Sequence, residues 1–145
     1  MVKTAPALNK SDQLSTRRLL WAAPVAIVTA MLANTVVRFA AAAALQPDPA
    51  FVPLGPATPA VFSLLGVLGA VILLAVIGRF SRRPLWLFRR IVLIALPITW
   101  VPDIMLLVSS SFPGANPANV LALMLMHVVA VAVILTVLIP LSRQQ

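Results

Sequence analysis

The sequence contains no cysteine, one histidine and only three acidic residues. Without cysteine the chain has no disulfide, no thiolate nucleophile and no cysteine metal site. His127 alone cannot form the histidine pair of a metal site, so we expect neither a metal nor another cofactor. Charged residues make up 10% of the chain, which is too few to cover a water-facing surface and excludes an ordinary soluble domain.

Long apolar stretches dominate the chain, and 61% of its 145 residues are hydrophobic. A bilayer core about 30 Å thick requires about 20 apolar residues in helical form. The sequence therefore predicts an all-α, membrane-spanning four-helix bundle over residues 19–141, with tails at 1–18 and 142–145. The four predicted spans are at about 19–45, 59–79, 85–108 and 117–141.

The first span follows a basic segment, Lys3 to Arg18, as the apolar part of a cleaved signal peptide would. Its apolar run is about 27 residues long, whereas the apolar part of a signal peptide has about 7 to 15 residues. We therefore expect an uncleaved membrane anchor.

All but one of the 11 lysines and arginines fall on one side of this arrangement. Because basic residues near span ends are retained in the cytoplasm, we expect an antiparallel bundle with both termini and the middle loop inside. Trp21 and Trp86 would then lie at the inner interface. The net charge of +8 does not predict nucleic-acid binding, which needs basic residues on a folded soluble face. The residues predicted inside are Lys3, Lys10, Arg17, Arg18, Arg79, Arg82, Arg83, Arg89, Arg90 and Arg143.

Helix starts and the first outer loop have their own signals. Thr58 and Asn116 each precede a proline and are candidate N-caps. The loop 46–59 is rich in proline and is expected to be extended and stiff. Its apolar residues predict a segment that folds back on the outer end of the bundle: Phe51, Val52 and Leu54.

Two of the spans contain residues that affect helix packing and shape. Pro97 and Pro102 interrupt hydrogen bonding in the third span and predict a kink. Small residues let helices approach closely in a membrane, so we expect one face of the second span to pack against a neighbouring helix. The small residues of that face are Ser63, Gly66 and Ala70, with Gly69 nearby.

Three ionisable residues lie inside the predicted spans: Arg38, Asp103 and His127. Helix rise places them about 10, 8 and 14 Å from the outer ends of their spans, within one band of the membrane. An isolated charge at such a depth costs about 2.5 to 3.5 kcal/mol, so each should have a partner. Their charges predict an ion pair between Arg38 and Asp103, with His127 able to donate to Asp103.

Asn34 and Thr99 share helix faces with Arg38 and Asp103, which predicts an intramembrane polar cluster of five residues. Three interpretations remain open. The cluster fixes helix register, or it binds a ligand, an ion or a proton, or Asp103 and His127 act as an acid/base pair. Catalysis lacks a nucleophile at a suitable spacing, because Ser109, Ser110 and Ser111 are better interpreted as loop.

The arginines of the middle loop have a simple interpretation. Their charge determines the topology, and the same charge favours binding of anionic lipid headgroups. These residues are Arg79, Arg82, Arg83, Arg89 and Arg90.

Several segments together resemble a family of small bacterial four-helix membrane proteins known as a domain of unknown function. The resemblance covers about residues 18–141, and its most specific parts are VPD, with Pro102 and Asp103, and MHVVA, with His127. It implies a protein of the bacterial inner membrane and implies no activity. In chain order, the segments are FVPLGPATP, GVLGA, GRFSRRP, FRRIVLIAL, VPDIMLL, PGANP and ALMLMHVVA.

From these observations we expect a multi-pass inner-membrane protein that is not an enzyme and acts as a structural or accessory protein. Its expected partners are membrane lipids with anionic headgroups on the cytoplasmic side, and a second copy or another membrane protein is a further possible partner. The alternative is a small transporter or channel component with a polar site in the outer half of the bundle. A pore formed by one copy is disfavoured, because four helices pack around their own side chains.

Overall fold

The computed structural model describes residues 13–108 and 113–144. Over these residues the protein is helical and contains no β-strand. Residues 1–12, with Lys3 and Lys10, lie outside the described ranges, as do Ser109, Ser110 and Ser111. The helices are α1 (Thr16–Leu45), α2 (Thr58–Phe80), α3 (Pro84–Val108) and α4 (Pro117–Ser142), and a 3₁₀ turn (Val52–Leu54) lies between α1 and α2.

These four helices are each long and apolar enough to cross a membrane. They confirm the number of predicted spans, and α1 begins three residues before its predicted apolar stretch. The side chain of Ser15 caps that start by accepting from the backbone N–H of Arg18 at 3.5 Å. The protein is thus a multi-pass membrane protein by the length and composition of its helices.

Only one of the two predicted N-caps has the expected geometry. Asn116 caps α4, and its side-chain oxygen accepts from the backbone N–H of Asn119 at 2.9 Å. Thr58 is instead the first residue of α2, and its hydroxyl donates to the carbonyl of Val52 at 2.9 Å. The helix therefore begins one residue earlier than predicted, and the hydroxyl of Thr58 holds the 3₁₀ turn.

All four helices contribute side chains to one core cluster. Fully buried members include Ala26 of α1, Leu74 of α2, Phe88 of α3 and Leu138 of α4. Alanines line the core side of α1 every fourth residue, at positions 22, 26 and 30, which lets the neighbouring helices approach closely.

A second core cluster closes the end of the protein that carries the loop between α1 and α2. Phe51 and Leu54 are buried there against Leu123 and Met126 of α4. The prediction that the loop folds back is confirmed for these two residues, whereas Val52 is exposed. A stiff proline-rich loop can hold the two apolar side chains inward at little further entropic cost.

The prediction for the small residues of α2 was wrong at both glycines. A Cβ atom added at Gly66 or Gly69 would meet no heavy atom within 4 Å, so this side of the helix is open. The face that packs inward carries Ser63, Val67 and Leu74, which are buried. Gly66 precedes Val67 by one residue and therefore points about 100° away from it around the helix.

Prolines affect α3 and α4 differently. Helix α3 continues through Pro97 and Pro102, and the predicted kink stays a prediction. In α4 the segment Ile134–Leu138 is a π-helix, and the N–H of Ile139 donates to the carbonyl of Ile134. Pro140 follows directly after Ile139. The wider π-helical turn accommodates the proline ring and the lack of a backbone N–H in proline.

The two ends of the described chain meet. Leu14 and Arg143 form an isolated antiparallel bridge, and the N–H of Ser15 donates to the carbonyl of Ser142 at 2.9 Å. The N–H of Gln144 donates to the carbonyl of Gln13 at 3.0 Å. These bonds fix the start of α1 to the end of α4.

Candidate intramembrane polar site

Asp103 of α3 and His127 of α4 form the closest charged contact at the predicted site. The Nδ1 atom of His127 lies 3.1 Å from Oδ2 of Asp103 and 3.0 Å from the carbonyl oxygen of Leu123. The prediction that these two side chains meet is therefore confirmed. The contact joins α3 to α4 within the membrane-spanning part of the chain.

The ring of His127 has two polar atoms, and one of them, Nδ1, lies near both oxygens. In the tautomer that carries its proton on Nδ1, the ring donates a hydrogen bond there. The hydrogen bond goes to Leu123, while Oδ2 of Asp103 is buried without a hydrogen bond, so its 3.1 Å contact is electrostatic. The side chain of His127 is 39% exposed and that of Asp103 only 12%.

The predicted ion pair between Arg38 and Asp103 is not formed. Nε of Arg38 donates instead to the carbonyl of Leu54 at 3.3 Å, and the guanidinium lies 5.1 Å from the ring centroid of Phe39. Asp103 contacts His127 instead. A long arginine side chain can extend toward the loop between α1 and α2, where a backbone carbonyl accepts its hydrogen bond and its charge costs less than beside a deeper residue.

Asn34 and Ser63 form a separate contact between α1 and α2. Nδ2 of Asn34 donates to Oγ of Ser63 at 2.8 Å, and this hydroxyl donates in turn to the carbonyl of Pro59 at 2.6 Å. Both side chains are buried, and Oδ1 of Asn34 has no hydrogen-bond partner. The pair fixes the register of two helices that otherwise present apolar side chains to each other.

Thr99 does not join the other predicted residues. Its hydroxyl donates to the carbonyl of Leu96 at 2.7 Å, within its own helix. The next residue, Trp100, has a buried indole N–H without a partner. In the described part of the chain, no hydrogen bond connects the contacts of Asp103, Arg38 and Asn34 with one another. The five predicted residues therefore form three separate contacts, and Thr99 bonds only within its own helix.

Asn119 is a buried polar residue that the sequence analysis missed. It is completely buried, its Nδ2 donates to the carbonyl of Gly114 at 3.0 Å, and its Oδ1 has no partner. Gly114 adopts a left-handed φ of 77°, which brings its carbonyl into the turn. The signal was present in the sequence, because Asn119 lies three residues after the cap Asn116, where a polar side chain often turns back on the helix start.

The arginines predicted to face lipid headgroups are all exposed. The guanidinium of Arg90 stacks 3.9 Å above the ring of Trp86, one helical turn away. Such a stack orients the charge and shields the apolar face of the ring. The group comprises Arg79, Arg82, Arg83, Arg89 and Arg90.

Residues 13–108 and 113–144 contain no group of three or more histidine, cysteine, aspartate or glutamate side chains that could hold a metal ion. Asp103 and His127 are two side chains on neighbouring helices, and a structural zinc site usually has four ligand side chains.

Comparison with known proteins identifies the family. A comparison with curated proteins and one with solved structures each gave no match. A family model described as "Family of unknown function (DUF6069)" matches residues 12–144, which include all four helices. The resemblance to a domain of unknown function is confirmed, and this chain belongs to family DUF6069.

Proposed function

We propose that this protein is a non-enzymatic accessory protein of the bacterial inner membrane. Its four helices cross antiparallel to one another, with both termini and the middle loop in the cytoplasm. It acts by contacting anionic lipids and other membrane proteins.

Three features support this topology. The basic residues cluster at one end of the four-span arrangement, which is the usual sign of the cytoplasmic side. The joined ends at Leu14 and Arg143 require an even number of crossings. The loop between α2 and α3 spans only residues 81–83, which is short enough to join adjacent antiparallel helices.

The observation that carries the non-enzymatic role is the way the polar residues are distributed. Asn34 bonds to Ser63, Arg38 bonds to a loop carbonyl, and Asp103 contacts His127. Each contact joins two elements of the fold, as expected of polar groups that set helix register. An active site would instead bring several of them together around a reacting atom.

Exposed arginines support the lipid partner. A cluster of cationic side chains at the cytoplasmic interface attracts anionic headgroups by about 1 kcal/mol for each charge near the surface. Arg90 on Trp86 places a charge and an interfacial aromatic ring together.

A single-tryptophan protein tests this function. Trp21→Phe and Trp100→Phe leave Trp86 as the reporter beside the middle loop. In vesicles, dibrominated phosphatidylglycerol should quench Trp86 more strongly than dibrominated phosphatidylcholine at the same mole fraction. The combined change Arg82→Gln and Arg83→Gln should reduce the difference, and high salt should do the same. Equal quenching by the two lipids in the unaltered loop contradicts the proposal.

A second candidate is a small transporter or channel component. The observation that favours it is the buried Oδ2 of Asp103, which has no hydrogen bond and faces a partly exposed histidine. Intramembrane carboxylates of this kind often belong to proton or ion pathways. Proteoliposomes containing a pH-sensitive dye test it: flux that depends on the protein and is lost in Asp103→Asn supports a transport role, and leakage equal to that of empty vesicles excludes proton transport.

A further inference from the structure

A groove opens at the end of the protein where the two ends of the described chain meet. It has a volume of about 630 Å³ and lies between the first turns of α1 and the end of α4. Its lining includes none of the middle-loop arginines and neither Asp103 nor His127. Its lining residues are Ser15, Arg17, Arg18, Trp21, Ala22, Val25 and Leu141.

The chemistry of the lining changes along α1 from polar to apolar. Ser15, Arg17 and Arg18 form one end, Trp21 follows, and Val25 is apolar. The helix rises about 12 Å over the eight steps from Arg17 to Val25. The headgroup layer of a bilayer is about 5 to 8 Å thick on each side, so the groove would cross from headgroups into hydrocarbon.

The polar end of the groove carries positive charge on a fixed frame. Arg17 and Arg18 line it, and the described residues of the lining include no acidic side chain. The Nη1 atom of Arg18 donates to the carbonyl of Arg143 at 3.3 Å, which ties this side chain to the end of α4. A guanidinium on a rigid support is well suited to a phosphate, because it can donate two hydrogen bonds in a fixed geometry.

We propose that this groove binds one anionic phospholipid, with its phosphate at Arg17 and Arg18 and an acyl chain along Trp21, Val25 and Leu141. Charge complementarity selects an anionic headgroup, and the apolar end selects a lipid over free phosphate. This inference rests on the proposed lipid contacts of the protein. It adds a defined site to the diffuse attraction of the middle loop.

Trp21 lies in the lining and is 76% exposed, so it can report directly on the occupant of the groove. Trp86→Phe and Trp100→Phe leave it as the only tryptophan. The protein is reconstituted in vesicles that contain dibrominated phosphatidylglycerol or dibrominated phosphatidylcholine. Competition between the two lipids yields their relative association constant at Trp21, and phosphatidylglycerol should bind more strongly.

Arg17→Gln should lower this relative constant by about fivefold, the effect of one interfacial charge. Arg82→Gln is the matched control, since it removes one exposed arginine of the middle loop and should leave the constant at Trp21 unchanged. Far-ultraviolet circular dichroism of each variant confirms that the helices remain folded. Free inorganic phosphate at millimolar concentration should not displace the lipid, and displacement would contradict an amphiphilic ligand.

Equal association of the two lipids at Trp21 in a folded protein overturns the inference. That result is expected if the groove binds any lipid, and also if residues 1–12 fill it. The inference is overturned as well if Arg17→Gln and Arg82→Gln lower the relative association constant at Trp21 equally. The preference for phosphatidylglycerol would then come from the overall positive charge and not from the groove. The Trp86 reporter distinguishes failure of this inference from failure of the proposed function. Selectivity at Trp86 alone leaves that function intact, whereas loss at both reporters refutes both proposals.

Discussion

The contact between Asp103 and His127 predicts that substituting His127 lowers the free energy of unfolding more than substituting Asp103. His127→Phe removes the polar neighbour of Oδ2, a buried oxygen that has no hydrogen bond. Asp103→Leu leaves Nδ1 of His127 bonded to the carbonyl of Leu123 at 3.0 Å. The carboxylate therefore loses its partner, whereas the imidazole keeps one.

The magnitudes follow from this asymmetry. Leaving a carboxylate unpaired within the membrane should cost about 3 kcal/mol, the range for one charge at a helix centre and for a broken buried pair. Removal of the carboxylate should cost only about 1 kcal/mol, the usual size of one polar contact between membrane helices. The double change should cost about 1 kcal/mol too, because no unpaired carboxylate remains. We therefore expect it to be about 2 kcal/mol more stable than His127→Phe alone.

Equilibrium unfolding in mixed micelles with an increasing mole fraction of dodecyl sulfate measures these free energies. Thr99→Val is the matched control in α3, because its hydroxyl bonds only within its own helix, to Leu96. It should change the free energy of unfolding by less than about 0.5 kcal/mol. The reasoning is refuted if Asp103→Leu costs as much as His127→Phe, or if the two changes add within about 0.3 kcal/mol.

Two further predictions concern topology and packing. Because the chain has no cysteine, single cysteines can be labelled with an impermeant reagent: Ala50→Cys and Ala115→Cys should react from outside the cell, and Ser81→Cys should not. The opposite pattern would invert the proposed orientation. Gly66→Leu points into open space and should change the free energy of unfolding by less than about 0.5 kcal/mol. Leu74→Ala, at a fully buried position of the same helix, should cost about 2 to 4 kcal/mol in that assay.

Composition and periodicity were sufficient to predict the four helices. A stretch of about 20 apolar residues satisfies its own backbone hydrogen bonds in lipid only as a helix, so the spans follow without knowledge of their neighbours. The cap at Asn116 and the buried Phe51 and Leu54 were predictable for a similar reason. Each depends on residues close in sequence or on a short stiff loop.

Tertiary structure alone decided how the polar residues pair. Helix rise places Arg38, Asp103 and His127 at similar depths, but depth does not specify which side of the bundle each helix presents. The rotation of α2 places Gly66 outward for the same reason, since packing of Val67 and Leu74 determines that rotation. Arg38 bonds to a loop carbonyl because its side chain is long enough to leave the depth of its own Cα, whereas the shorter side chain of Asp103 stays beside α4 and meets His127.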